Sequence, residues 1–155
     1  MIVKENQLAE HLRRVEPELD AERADAPVRP GVWRVLVVED VPSQQKLLVT
    51  VLKKAGHIVA TADNGVDAVE LVQKEPFDIV LMDIQMPGMN GLDATRAIRQ
   101  HEAATGSHVT IVAVTAHALN DDAQKCIAAG TDAYLRKPIN LVELMGLLKQ
   151  IREQP

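Results

Sequence analysis

The sequence predicts an α/β domain in which five parallel strands alternate with five helices. Two observations lead to this prediction. Short apolar runs rich in β-branched residues recur between residues 34 and 135, and segments with helical periodicity separate them. Because crossovers between parallel strands are right-handed and each one covers a face of the sheet, this alternation requires a doubly wound sheet with helices on both faces.

Five segments have the length and composition of strands: residues 34–38, 57–62, 77–82, 109–114 and 132–135. The first, third and fourth are apolar almost throughout, as in strands that are covered on both faces. The second alternates apolar and polar residues, which favours a position nearer the edge of the sheet.

Amphipathic segments between the strands predict the helices. They are expected at residues 42–55, from a cap at Asn64 or Asp63 to just before Pro76, at residues 92–100, from Asn120 to Gly130, and after a capping box of Asn140 and Glu143. The first helix carries an apolar stripe formed by Leu47, Leu48, Val51, Leu52 and Ala55. The last carries a similar stripe, which is expected to face inward, formed by Leu141, Leu144, Leu147, Leu148 and Ile151.

The 155 residues provide room for one ordinary domain and a tail. We predict an N-terminal helix and linker over residues 1–32 and the main domain over residues 33–155. In the first part, apolar residues recur at coiled-coil spacing before an extended stretch that contains two prolines. Two interpretations stay open for it: a frayed helix with a tether, or a dimerising or signal-relaying helix from a neighbouring module.

Charge and composition disfavour several classes of function. The formal net charge of −5 is unlike the basic surface of a nucleic-acid-binding protein, and aromatic residues make up only 2% of the chain. A single cysteine, Cys126, suits a reducing compartment. No apolar stretch approaches the roughly 20 residues that cross a bilayer. We therefore expect a cytoplasmic location, whether the chain stands alone or belongs to a longer, membrane-anchored protein.

Polar residues with chemical potential follow the predicted strands. Glu39 and Asp40 end the first strand, Asp83 the third and Thr115 the fourth, and Lys137 comes just after the fifth. In an open parallel sheet, ligands bind outside the carboxyl ends of the strands. With the first strand central, these ends share one small basin that would hold three carboxylates, a hydroxyl and an ammonium group.

Three crowded carboxylates repel one another, and a divalent cation relieves this repulsion. Mg²⁺ is often held by one or two carboxylates plus a phosphate, so we expect Mg²⁺ here, with Mn²⁺ as a substitute. Asp83 would act as a nucleophile and form an aspartyl phosphate. Lys137 would supply a further positive charge to the phosphoryl oxygens, and Thr115 a hydroxyl group.

Four stretches of the chain, VLVVED, LMDIQMPGMNG, VAVTAHA and DAYLRKPIN, resemble the response-regulator receiver domain in order and spacing. The resemblance covers roughly residues 34–152 and is greatest to receivers of hybrid sensor histidine kinases. It implies a flavodoxin-like fold with strand order 2-1-3-4-5. It also implies a role in two-component signalling and phosphorelays, with Asp83 as the phosphoacceptor.

The resemblance further implies the metal ligands and the groups that contact phosphate. Glu39 and Asp40 would bind Mg²⁺ together with Asp83, and Gln85 would contribute its backbone carbonyl. Thr115 and Lys137 would contact the phosphoryl group.

Further roles follow from the same resemblance. Tyr134 would be the switch aromatic that rotates inward when Thr115 moves, and Gln85 and His117 would tune dephosphorylation. The Lys137–Pro138 peptide bond would be cis. One feature departs from the pattern: Val41 precedes Pro42, where hybrid-type receivers often have Asn-Pro, which questions the geometry at the start of the first helix.

The expected function is transfer of a phosphoryl group from a partner's phosphohistidine to Asp83, which then switches the surface of the fourth helix, fifth strand and fifth helix. The expected partner is a histidine kinase or a histidine-phosphotransfer domain, and homodimerisation is left open. We expect no nucleic acid and no membrane contact. The domain would catalyse its own phosphorylation and dephosphorylation without turning over a separate substrate, so it would not be an enzyme in the usual sense.

Three alternatives remain on sequence alone. The first is a Mg²⁺-dependent phosphohydrolase that uses the same aspartyl phosphate. The second is a nucleotide- or flavin-binding module built on the same kind of sheet. The third is a degenerate receiver that acts only as a docking module. No GxGxxG or GxxxxGK[ST] motif is present, which disfavours the second. The scattered histidines, expected at the surface and outside any phosphodonor motif, are His11, His57, His101 and His108.

Overall fold

The computed structural model describes residues 31–116 and 120–153. Its elements are β1 (Arg34–Val38), α1 (Pro42–Lys54), β2 (Ile58–Ala62), α2 (Gly65–Lys74), β3 (Ile79–Asp83), α3 (Gly91–Thr105), β4 (Thr110–Thr115), α4 (Asn120–Ala129), β5 (Ala133–Arg136) and α5 (Leu141–Glu153). The predicted helix and linker over residues 1–32 lie outside the described residues, except for the last two positions. The division at residue 33 therefore stays a prediction.

The five strands form one parallel sheet in the order β2-β1-β3-β4-β5, which confirms the predicted fold. Val38, the last residue of β1, lies opposite Met82 on β3, and Asp83 lies opposite Val114 on β4. This register places the ends of β1, β3 and β4 side by side at one edge of the sheet. Within the described residues, no helix is both long enough and apolar enough to cross a membrane.

Each face of the sheet has its own hydrophobic core because side chains along a strand alternate between the faces. Val35 and Val37 of β1 pack in a cluster with leucines from α1 and α5. Leu36 and Val38 pack on the other face, in a cluster with residues of α2 and α3 such as Ala68. All five residues of β1 are buried, as predicted for a strand that is covered on both sides.

The apolar stripes of the first and last helices are only partly buried. Leu48 and Leu52 of α1 and Leu144 of α5 lie in the core. The prediction of an inward position was wrong for Leu141, which is 40% exposed, and Leu47 on the stripe of α1 is 54% exposed. The strip of a helix that contacts a sheet is narrower than the apolar stripe that these sequences carry, so the flanking leucines face solvent.

His57 is buried, and the prediction of a surface position was wrong. Only 2% of the residue is exposed, its Nδ1 accepts a hydrogen bond from the Trp33 backbone N–H at 3.1 Å, and its ring stacks on the Trp33 ring. Burial, with a smaller contribution from the positive charge of Arg152, lowers the pKa of His57 from 6.5 to about 4. The ring is therefore neutral at pH 7, which suits its role as a hydrogen-bond acceptor.

Helix α3 extends five residues beyond its predicted end, and ion pairs of the half-buried Arg99 with the buried Glu102 and the more exposed Asp132 hold the extension. Arg99 donates from Nη1 to Glu102 Oε1 at 2.6 Å and to the Val109 carbonyl at 2.8 Å. It also donates from Nε to the Gly130 carbonyl at 2.8 Å and from Nη2 to Asp132 Oδ2 at 2.7 Å. One guanidinium group thus joins α3 to the start of β4 and to the turn before β5.

We expect replacement of Arg99 by Met to lower the free energy of unfolding by about 3 kcal/mol, because it leaves the buried Glu102 carboxylate without its cation. Arg96→Met is the matched control, since Arg96 forms an i,i+3 pair with Asp93 on the same helix but both side chains are more than half exposed. That exposed pair contributes about 0–1 kcal/mol. Urea unfolding measures both values, and equal losses in the two variants would contradict the assignment.

Candidate active site

The acidic residues after β1 and at the end of β3 form one cluster. Glu39, Asp40 and Asp83 each offer a carboxylate oxygen, and these atoms lie within 4.8 Å of one another. Glu39 and Asp83 are each only 2% exposed, whereas Asp40 is partly exposed. The sheet register thus brings together the three carboxylates that the sequence predicted to be neighbours. We refer to this cluster, with Lys137, as the acidic basin.

Lys137 lies directly against the two buried carboxylates. Its Nζ is 3.1 Å from Glu39 Oε1 and 3.1 Å from Asp83 Oδ2. Burial by itself would lower the pKa of the ammonium group, but the contacts with Asp83 and Glu39 outweigh it and raise the pKa above the usual value of 10.5. Lys137 is therefore fully charged at pH 7. Its backbone N–H donates to the Thr115 carbonyl at 2.8 Å, and the Lys137–Pro138 peptide bond is cis.

The two oxygens of Asp83 have different surroundings. Oδ1 accepts a hydrogen bond from the Gln85 backbone N–H at 3.1 Å. Oδ2 is buried, and no donor within the described residues is aligned to hydrogen-bond to it. Lys137 Nζ, 3.1 Å away, forms an ion pair with Oδ2. Oδ2 therefore keeps lone pairs for a metal ion or an electrophile.

The loop after Asp83 is packed too tightly for a side chain at Gly91. A Cβ built at this position would lie 2.2 Å from the Asp83 carbonyl oxygen and 2.8 Å from the Ile84 Cα. The Gly91 N–H donates to the Ile84 carbonyl at 3.1 Å, and the Ile84 N–H donates to the Val114 carbonyl at 3.0 Å. The glycine lets the N-terminus of α3 fold back against the end of β3, which fixes the backbone that carries Asp83.

The other predicted site residues lie around this edge of the sheet. Thr115 ends β4 and is 3% exposed, in register with Arg136 of β5. Gln85 is exposed just beyond Asp83, and Tyr134 of β5 is 44% exposed. His117 lies outside the described residues. The roles of all these residues remain predictions.

Sequence reasoning missed Gln45, whose side chain contacts the loop that carries the acidic pair. Its Nε2 donates to the Glu39 carbonyl at 3.0 Å. The sequence shows a polar residue in the first turn of α1, directly after the loop that carries Glu39 and Asp40. It does not show which way that side chain points.

The chemistry of the acidic basin suits a hard divalent cation. Three carboxylates face one another, and within the described residues Lys137 is the cation that approaches them. One ammonium group leaves two negative charges in a largely buried place, where mutual repulsion is weakly screened. Mg²⁺ prefers carboxylate oxygens and keeps several waters, so Glu39, Asp40 and Asp83 fit it.

These features define a class: a doubly wound α/β domain with an acidic cluster around a buried aspartate at the carboxyl edge of its sheet. The family model described as the response regulator receiver domain matches residues 35–149. The chain belongs to this family, which makes it a signalling module of two-component phosphorelays.

Among curated relatives, the sensor histidine kinase GacS of Pseudomonas protegens is 46% identical over 108 residues. This match covers 69% of the present chain but only 12% of GacS. The hybrid signal transduction histidine kinase I of Dictyostelium discoideum is 45% identical, and 6% of its length is covered. The chain therefore spans a small fraction of the length of the curated kinases to which it is similar.

Two solved structures are similar throughout the domain. One is the receiver domain of the Arabidopsis thaliana histidine kinase CKI1, complexed with Mg²⁺ and BeF₃⁻, with 36% identity and a TM-score of 0.72 over 79% of this chain and 91% of that one. The other is the receiver domain of Saccharomyces cerevisiae Ssk1, co-crystallised with the histidine phosphotransfer protein Ypd1. It has 32% identity and a TM-score of 0.75 over 80% of this chain and 90% of that one.

We expect Gly91→Ala to destabilise the domain by about 1–3 kcal/mol, because the added methyl group must displace the backbone of Asp83. Gly146→Ala is the matched control. Gly146 lies within α5 with nothing near its Cβ position, so alanine should stabilise that helix by about 0.5–1 kcal/mol. Thermal unfolding of both variants measures the difference. A Gly91→Ala protein as stable as the parent would show that the loop is not held as described.

Proposed function

We propose that the chain is a phosphoacceptor domain in which Asp83 receives a phosphoryl group from a phosphohistidine of a partner. The observation that carries the proposal is the buried Asp83 Oδ2, which has an ammonium group 3.1 Å away but no aligned hydrogen-bond donor within the described residues. In the transfer, an Asp83 oxygen forms a bond to phosphorus as the P–N bond breaks. The electron pair of that bond stays on the imidazole, which takes up a proton.

Each group of the acidic basin has a part in this proposal. Glu39, Asp40 and Asp83 would hold Mg²⁺, with the Gln85 carbonyl as a further ligand, and the cation would neutralise charge on the phosphoryl oxygens. Once Asp83 carries the phosphoryl group, the negative charge lies on the phosphoryl oxygens, and Lys137 would pair with one of them. Mn²⁺ is proposed as a substitute because it also accepts carboxylate and water ligands.

The proposed output is a change in the surface of α4, β5 and α5. Phosphorylation replaces the single negative charge of the Asp83 carboxylate with a phosphoryl group that carries close to two, beside Thr115 and Lys137. We propose that Thr115 then moves toward the phosphate and Tyr134 rotates inward. Exposed apolar side chains on this surface include Ile127, Tyr134 and Val142. A shift between two populated arrangements would therefore change which apolar groups a partner meets. Gln85 and His117 are proposed to tune the lifetime of the phosphate.

The proposed partner is a histidine kinase or a histidine-phosphotransfer protein. Support comes from the similarity to kinase receivers and to the receiver that was co-crystallised with Ypd1. A cytoplasmic location, alone or as a part of a membrane-anchored kinase, is proposed on the same basis, and homodimerisation stays open.

We expect a small phosphodonor with Mg²⁺ to add one phosphoryl group to the parent protein and none to Asp83→Asn, which lacks the nucleophilic carboxylate. Intact mass spectrometry measures the addition. Asp93→Asn is the control, because Asp93 lies on the exposed face of α3. It should be phosphorylated like the parent.

Equal labelling of the parent and Asp83→Asn would reject Asp83 as the phosphoacceptor. A parallel assay of phosphate release from a free phosphomonoester tests the phosphohydrolase alternative, which predicts many turnovers. The phosphoacceptor proposal predicts one phosphoryl group per chain followed by slow loss.

A further inference from the structure

The side chain of Gln45 connects two loops at the edge of the acidic basin. Its Nε2 lies 3.0 Å from the Glu39 carbonyl oxygen, 3.0 Å from Asp63 Oδ1 and 3.4 Å from the Ala62 carbonyl oxygen. The Glu39 N–H in turn donates to the Ala62 carbonyl at 3.1 Å. The peptide groups on both sides of Glu39 are therefore held, one by the end of β2 and the other by Gln45.

The orientation of the Gln45 amide follows from its surroundings. An amide nitrogen has two hydrogens and the amide oxygen has none, and all three neighbours are acceptors. The two short contacts use the two hydrogens, and the third contact, to Ala62, is a weaker shared one. The reverse orientation would place oxygen against three oxygens, so the amide must donate to this loop.

Asp40 differs from the other acids of the basin because its carboxylate makes no hydrogen bond within the described residues. Glu39 is held by its own contacts: Oε2 accepts from the Val41 N–H at 3.1 Å, and Oε1 is 3.1 Å from Lys137 Nζ. Asp83 is held through the Gln85 N–H. The direction of the Asp40 side chain is thus set by its backbone, which begins at the peptide group that Gln45 fixes.

We propose that Gln45 is a positioning residue for the cation, acting through Asp40. By donating to the Glu39 carbonyl, it fixes the plane of the Glu39–Asp40 peptide and so directs the Asp40 carboxylate toward the other two acids. Hydrogen bonds behind metal ligands commonly orient them, and their loss weakens metal binding. This inference rests on the proposed function, in which these acids hold Mg²⁺.

The test compares Gln45→Met, which keeps the length of the side chain but removes the donor, with Gln44→Met. Gln44 is the exposed neighbour on the same turn of α1 and serves as the matched control. Titration of Mg²⁺ into isotope-labelled protein, followed by the amide resonances around Asp83, gives the dissociation constant. We expect Mg²⁺ to bind Gln45→Met about tenfold more weakly than the parent. Gln44→Met should bind Mg²⁺ like the parent.

A second measurement separates positioning from a general loss of structure. In protein that already carries Asp40→Ala, the change Gln45→Met should weaken Mg²⁺ binding by less than about twofold, because the ligand through which Gln45 acts has been removed. A merely structural role would give the same fold loss in both backgrounds. Thermal midpoints of the metal-free proteins show whether each variant is folded, and Gln45→Ala, which favours a helix, replaces Gln45→Met if that variant does not fold.

Two results would overturn the inference: Gln45→Met binds Mg²⁺ like the parent, or the fold loss caused by Gln45→Met is unchanged in the Asp40→Ala background. Failure of the proposed function has a different signature. In that case the parent itself shows no Mg²⁺-dependent shifts near Asp83, and Asp83→Asn is labelled like the parent.

Discussion

Repulsion among three carboxylates at the carboxyl edge of the sheet is the constraint on which the site depends. Glu39 and Asp83 are buried, Asp40 lies beside them, and the ammonium group of Lys137 offsets part of their charge. The strand order and register place the ends of β1 and β3 side by side, which keeps these carboxylates close together. The hydrophobic cores on both faces of the sheet stabilise that register. Stability elsewhere in the fold thus maintains an electrostatically unfavourable site. The remaining negative charge makes a cation and a phosphoryl group favourable ligands.

Charged residues at the opposite edge of the sheet are arranged differently. Around the start of β4 and the turn before β5, Arg99 pairs with Glu102 and Asp132, and the Glu102 carboxylate also accepts the Val109 N–H at 2.6 Å. Every polar atom of that guanidinium group has a partner. Buried charges that are fully paired hold structure, whereas buried charges left in excess bind something else. The two edges show these two uses of charge in one small domain.

Much of this arrangement could be predicted from the sequence, because the period of apolar residues defines strands and the residue after each strand must lie at the sheet edge. Asp83 was identified in this way. Contacts that depend on side-chain direction could not be predicted. His57 is buried because it stacks on Trp33 at the opposite end of the sheet. Gln45 points back to the loop that carries Glu39 and Asp40, not to solvent. Neither contact leaves a periodic signal in the sequence.

The central claim is that the acids of the basin repel one another until a cation binds. Asp40→Asn removes one negative charge with little change in shape, and urea unfolding with a chelator and with Mg²⁺ measures its effect. The account predicts that the metal-free variant is more stable than the metal-free parent, by on the order of 1 kcal/mol, and that Mg²⁺ stabilises the parent more than the variant. A metal-free variant no more stable than the parent, with an equal response to Mg²⁺, would contradict it.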